Sequence, residues 1–372
     1  MTRFVLMLGL LAATFAPPAW SRDRSDTKDS LPVYAAKCKA AIGAAVEGFD
    51  CSDNTFTQVD EGHNNGQPYG NMSRICDYPN VLNHECDPGS RFKVLKEDEN
   101  VIIVAHCRKK IDADDGKFGD IAVIQYNKKN GATCFYQQLE SPDKTRRLDP
   151  KVQAPSTDDP AWFSPAQTED VKCGECHDNG PLIRSPYLAH LKDDPNVPPQ
   201  GILPGSHDNG FNDETHPYAF VGADFAGWKA WQVTAEGTVC NDCHRMGVSN
   251  MKSHDNNAQR PAMQTLGIGS LPCNVNSREG GGGTARALGI TATLDRQCSK
   301  NKHSADSPIW MTPGQVIFRD AQGDKPQAIH NLLDANKIRK CALAFTANNF
   351  DESKPLPAGC SVKLFAQAFS SP

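Results

Sequence analysis

The sequence predicts an α+β protein, in which a strand-rich, disulfide-stapled N-terminal domain precedes a mainly helical, loop-rich C-terminal region. Three observations predict it. Runs of β-branched and aromatic residues crowd the segment from 92 to 136. Six cysteines fall before residue 150 and none is followed directly by histidine, a pattern that suits disulfides. Helix-start signals follow only later, at Ser164-Pro165-Ala166-Gln167 and Asp324-Lys325-Pro326-Gln327, each with a capping residue, an early proline and glutamine at the capping-box position.

Taken in order, the chain opens with Arg3, an apolar run over 4–16, a Pro17-Pro18 pair and small residues up to Ser21. A basic start, a hydrophobic stretch too short to span a bilayer and a small-residue cleavage site predict a signal peptide over 1–21. Export to the periplasm or the medium is therefore expected. No later run is long and apolar enough for a transmembrane segment, so the mature chain is expected to lack one.

The domain over 30–147 is expected to begin with a helix over 33–46 that carries Cys38. Strands follow at 92–95, 101–105, 121–126 and 132–136, the last two joined by the hairpin loop Asn127-Lys128-Lys129-Asn130-Gly131. Residues 148–163 read as a linker, because prolines and aspartates interrupt any periodicity. In the region over 164–372, the helix starting after Ser164 is expected to run into Cys173. A second is expected over 224–233, with Phe225, Trp228 and Trp231 along one face, and a third carries Ile329, Leu332, Leu333 and Ile338. The glycine run at 280–283 lacks the strand, helix and lysine of a phosphate-cradling loop. A formal net charge of −5 gives no basic surface for nucleic acid or an anionic membrane.

Two pentapeptides carry the chemistry: Cys173-Gly174-Glu175-Cys176-His177 and Cys240-Asn241-Asp242-Cys243-His244. Both are C-x-x-C-H, in which two thiols can form thioethers to a porphyrin edge while the next imidazole ligates iron. Shuffling 14 cysteines and 11 histidines through 372 residues gives the pattern only on the order of 0.02 times. A zinc site made from both pairs is the rival, but 67 residues separate the two first cysteines and zinc needs no histidine after each pair. A thioredoxin-like dithiol has no need of that histidine either. Setting aside the four motif cysteines leaves ten for up to five disulfides, and sequential pairing (38 with 51, 76 with 86, 107 with 134, 273 with 298, 341 with 360) is the simplest arrangement, although sequence leaves connectivity open.

On these motifs, and over roughly residues 155 to 345, the chain resembles dihaem c-type cytochromes. The resemblance implies two covalent haems, held by Cys173, Cys176, Cys240 and Cys243, with His177 and His244 on the irons. It also implies helical haem packing and electron carriage to a redox partner protein or an extracellular acceptor. The opposite iron position decides between carriage and catalysis. Met311, in Trp310-Met311-Thr312-Pro313-Gly314, reads as a distal ligand braced by proline, against the alternative of an apolar gap-filler. Met251, His254, Met263, His190, His207 and His216 are further candidates. Two rival classes stay open: a peroxidase or oxygen-activating enzyme with one open iron position, and a haem-bearing binding or sensory module.

Overall fold

The computed structural model describes residues 23–59, 63–64, 67–68, 90–109, 115–141, 147–178, 180–182, 217–238, 247–251, 334, 337–338 and 340–370. Helix α1 (Leu31–Ile42) buries Leu31, Tyr34, Cys38 and Ile42, spaced three, four and four apart and so gathered on one face. Short strands β1 (Phe49–Asp50), β2 (Thr57–Val59), β3 (His63–Asn64) and β4 (Gln67–Pro68) follow. Four eight-residue strands come next: β5 (Ser90–Glu97), β6 (Val101–Arg108), β7 (Asp120–Asn127) and β8 (Ala132–Leu139). They form a consecutive antiparallel meander, as the alternating β-branched runs predict. All eight residues of β8 are buried, so this strand is covered on both faces.

β9 (Lys151–Val152) turns back to pair with β1, and Leu148, Val152 and Trp162 of the 148–163 segment are buried in the core. Beyond it come α2 (Pro165–Asp170), α3 (Cys173–Cys176), β10 (Tyr218–Phe220), β11 (Ala230–Ala235), β12 (Gly247–Ser249) and β13 (Cys360–Ala368). These late strands extend the same sheet, which has nine strands in the order β12-β11-β13-β10-β8-β7-β6-β5-β2. β10 is the joint. It lies parallel to both β8 and β13, whereas every other pairing in that sheet is antiparallel.

The expectation of a mainly helical region over 164–372 is thereby corrected. Strand exceeds helix among the described residues, 34% against 21%, and one mixed sheet takes strands from both halves of the chain. The segment over 224–233 shows why. Phe225 and Trp228 occupy a turn and pack on each other at 4.9 Å, while Trp231 lies on β11 and meets Phe345 and Phe350 instead. Spacing by three suggested a helix face, but Ala230 to Ala235 is flanked by β12 on one side and β13 on the other. Partners distant in sequence overrode the local pattern.

Three disulfides lie among the described residues: Cys38–Cys134, Cys51–Cys107 and Cys341–Cys360. Only the last follows sequential pairing. Cys38 faces β8 from α1 and Cys51 follows β1, so helix packing and strand ends, not chain proximity, choose the partners. Cys76, Cys86, Cys273 and Cys298 lie outside the described residues.

Candidate functional site

The first pentapeptide is built from a helix that stops and restarts. Ser164 accepts from the Gln167 N–H, and the Gln167 side chain accepts from the Ser164 N–H at 2.9 Å, which completes the capping box read from sequence. The helix does not run into Cys173 as expected. It ends at Asp170, and Lys172 takes a left-handed conformation with φ 59°, its ammonium paired with Glu169. This redirects the chain into the single turn α3. There the His177 N–H donates to the Cys173 carbonyl at 2.9 Å, which places Cys173, Cys176 and His177 around one side of the turn.

The imidazole is held from two directions. Its ring packs at 5.4 Å from the Phe135 ring on β8, and Nδ1 lies 2.9 Å from the Pro181 carbonyl. A carbonyl only accepts, so Nδ1 carries the proton and Nε2 keeps its lone pair. Burial pushes the imidazole pKa down to about 4, with the Arg108 cation acting in the same sense. The ring is therefore neutral at physiological pH, as a metal-ligating histidine must be, and the carbonyl bond to its far nitrogen is the orienting contact such ligands use. Burial pushes the Cys173 thiol up to about 12, with the charge of Asp120 adding to the effect. A thiol held in its protonated form suits neither an exposed redox dithiol nor a reactive thiolate.

Around this turn the walls are aromatic. Trp228 packs at 6.0 Å from Phe135, 5.4 Å from Phe220 and 4.9 Å from Phe225, and its indole N–H donates to Glu169 at 2.9 Å. Tyr34 of α1 both accepts from the Phe135 N–H at 3.0 Å and donates to the Phe135 carbonyl at 3.3 Å. Burial raises the Tyr34 phenol well above its usual range, so it stays protonated as a donor. Such surroundings lower the local dielectric around the imidazole.

Gly174 leaves room for a close approach. A Cβ there would overlap Sδ and Cε of Met251 and would sit 3.2 Å from Cε3 of Trp228. Met251 is buried, two residues past β12, and packs on the flank of the turn, about 100° round from Cys173. Gly174→Ala is expected to destabilise the protein by ~1–3 kcal/mol through overpacking. Denaturant unfolding of Gly174→Ala, Met251→Ala and the double variant should give a favourable coupling of ~1–2 kcal/mol, because truncating the thioether frees the space. Purely additive effects would refute that contact.

Of the residues predicted from sequence, Cys173 and His177 lie one turn apart, at the start of α3 and at its C-terminal cap. The side chain of Cys176 and the whole of Cys240, Cys243, His244 and Met311 lie outside the described residues. The second pentapeptide falls in the connection between β11 and β12, which pair antiparallel through Ala230↔Ser249, Trp231↔Val248 and Gln232↔Gly247. Among the cysteines whose side chains are described, Cys173 is free and the other six are disulfide-bonded. Sequence reasoning missed Phe135, Pro181 and Tyr218. Pro181 was within reach, four residues after His177, whereas Phe135 and Tyr218 arrive through long-range strand pairing.

No three His, Cys, Asp or Glu side chains converge among the described residues, and none of the described helices is long and apolar enough to cross a membrane. No family model, curated protein or solved structure matches this chain.

Proposed function

We propose that the chain is an exported dihaem c-type cytochrome that carries electrons between redox partners. The observation that carries this reading is the combination at the first pentapeptide. Cys173, a free thiol, lies a turn before a neutral imidazole whose Nδ1 is committed to Pro181. The donor set fits the group: Cys173 and Cys176 supply thioether sulfurs, and His177 supplies Nε2 to the iron. Cys240, Cys243 and His244 would hold the second haem. When bound, each haem contributes a one-electron ferric/ferrous couple. This chain's residues orient the imidazole and keep it unprotonated.

The packing of Met251 on Gly174 supports two haems in one unit. Seven residues separate Met251 from His244, a reach of at most ~25 Å of extended chain. The hairpin that bears the second pentapeptide is therefore tied directly to the first.

Expression in a host competent for haem attachment should give a polypeptide heavier by two haems, with tryptic peptides spanning 173–177 and 240–244 each carrying one. Two low-spin irons in the electron paramagnetic resonance spectrum support a carrier. A high-spin iron that binds cyanide points to catalysis instead, and an unmodified mass ends the proposal. The apolar start over 1–21 should be missing from exported material, its new N-terminus at Arg22 by sequencing.

A further inference from the structure

We infer that Tyr218 is a positioning residue for the His177 imidazole, a role that rests on the haem-attachment reading above. Three polar contacts of His177 fix its place in the fold. Two are local: its N–H donates to Cys173, four residues back, and its Nδ1–H donates to Pro181, four residues on. The third comes from the sheet, where the Tyr218 hydroxyl on β10 donates to the His177 carbonyl at 2.8 Å.

The place of this bond gives it leverage. His177 stands where α3 ends, with φ −91° and ψ 34°, a sparsely populated conformation that local contacts alone hold weakly. Tyr218 is itself fixed, with 2% of its surface exposed and its ring against Phe220 at 4.9 Å and Phe365 at 6.0 Å. β10 pairs directly with β8, which carries Phe135, the ring against the imidazole. One strand pair thus grips both ends of the residue: β8 takes the side chain and β10 the carbonyl. The rotation of the imidazole about its own axis, and with it the iron–nitrogen overlap, is therefore set by the sheet and not by the five-residue motif alone.

Tyr218→Phe tests this in the haem-loaded protein, because it removes the hydroxyl and keeps the ring packing. Potentiometric titration followed by electron paramagnetic resonance should show the first haem altered in its low-spin lines. Its ferric/ferrous equilibrium should shift by up to tenfold, which is 59 mV for a one-electron couple. The second haem should stay where it was and serves as internal reference. A residue that merely stabilised the fold would lower the unfolding midpoint and leave both potentials alone. Should Tyr218→Phe fail to accumulate, 3-fluorotyrosine placed at 218 keeps the shape, strengthens the donor and should shift the first haem in the opposite direction. Unmoved lines and potential with haem on Cys173 and Cys176 would overturn the positioning role alone. Absence of haem from those cysteines, read by peptide mass, overturns the parent reading and this one together.

Discussion

Replacing Cys38 and Cys134 together by alanine is expected to remove ~4 kcal/mol of stability, a large fraction of the ~5–15 kcal/mol of an ordinary domain. The bridge closes a separation of 96 residues, within which Cys51–Cys107 already closes 56, so about 40 residues (96 − 56) are newly constrained in the unfolded chain. Loop closure on that scale corresponds to ~4 kcal/mol, whereas the 19-residue separation of Cys341–Cys360 corresponds to ~3 kcal/mol. Both Cys38 and Cys134 are fully buried, so the lost sulfur contacts act in the same direction. The effect should also reach the site. Phe135 follows Cys134 and packs on His177, and Tyr34, one helical turn before Cys38, bonds both backbone groups of Phe135. Guanidinium unfolding followed by circular dichroism should therefore rank the Cys38/Cys134 variant below the Cys341/Cys360 variant, and the first haem should change its spectrum in the former. Non-reducing digestion after the single change Cys38→Ala should expose Cys134 to thiol labelling. Labelling of Cys51 instead would refute the pairing.

How the cysteines find one another marks the limit of what the sequence makes legible. Features closed within a few residues were readable. The capping box spans Ser164 to Gln167, the β7–β8 loop spans 128–131, and each C-x-x-C-H pentapeptide is contiguous. Helix α1 and the four meander strands were readable too, because each strand's partner is its sequence neighbour. The rest depends on chain segments far apart. β11 needs β13, with Ala235 opposite Cys360, and without that partner the aromatic spacing of Phe225, Trp228 and Trp231 looks helical. The disulfides needed the same information, since a cysteine's partner follows from which helix face meets which strand. At the site, the residues proposed to hold the haem are contiguous in sequence and so could be read from it. Those that hold the imidazole, Phe135 and Tyr218, come from β8 and β10, whose pairing no periodicity announces.

Gly131→Ala is expected to test that pairing with a loss of roughly 2–5 kcal/mol, the sum of a left-handed backbone penalty and a steric overlap. Gly131 has φ +78°, and a Cβ built on it would lie 2.5 Å from the Pro217 carbonyl carbon and 2.7 Å from the Tyr218 nitrogen. Both neighbours are backbone, so no side-chain rotation relieves the clash. Neither strand can step aside freely. The Ala219 N–H donates to the Gly131 carbonyl at 2.9 Å, and the Tyr126 hydroxyl donates to the Pro217 carbonyl at 2.9 Å. Any relief must lift the start of β10 away from β8, which draws the Tyr218 hydroxyl from the His177 carbonyl. A single methyl group 46 positions before His177 should therefore disturb the first haem as Tyr218→Phe does, with a large drop in stability added. Gly227→Ala is the matched control, because a Cβ there meets nothing within 4 Å, and it should change stability by less than ~1 kcal/mol through backbone effects alone. If Gly131→Ala unfolded at the same denaturant concentration as Gly227→Ala, β8 and β10 would not approach as closely as this sheet requires, and the grip on His177 would have to come from the motif itself.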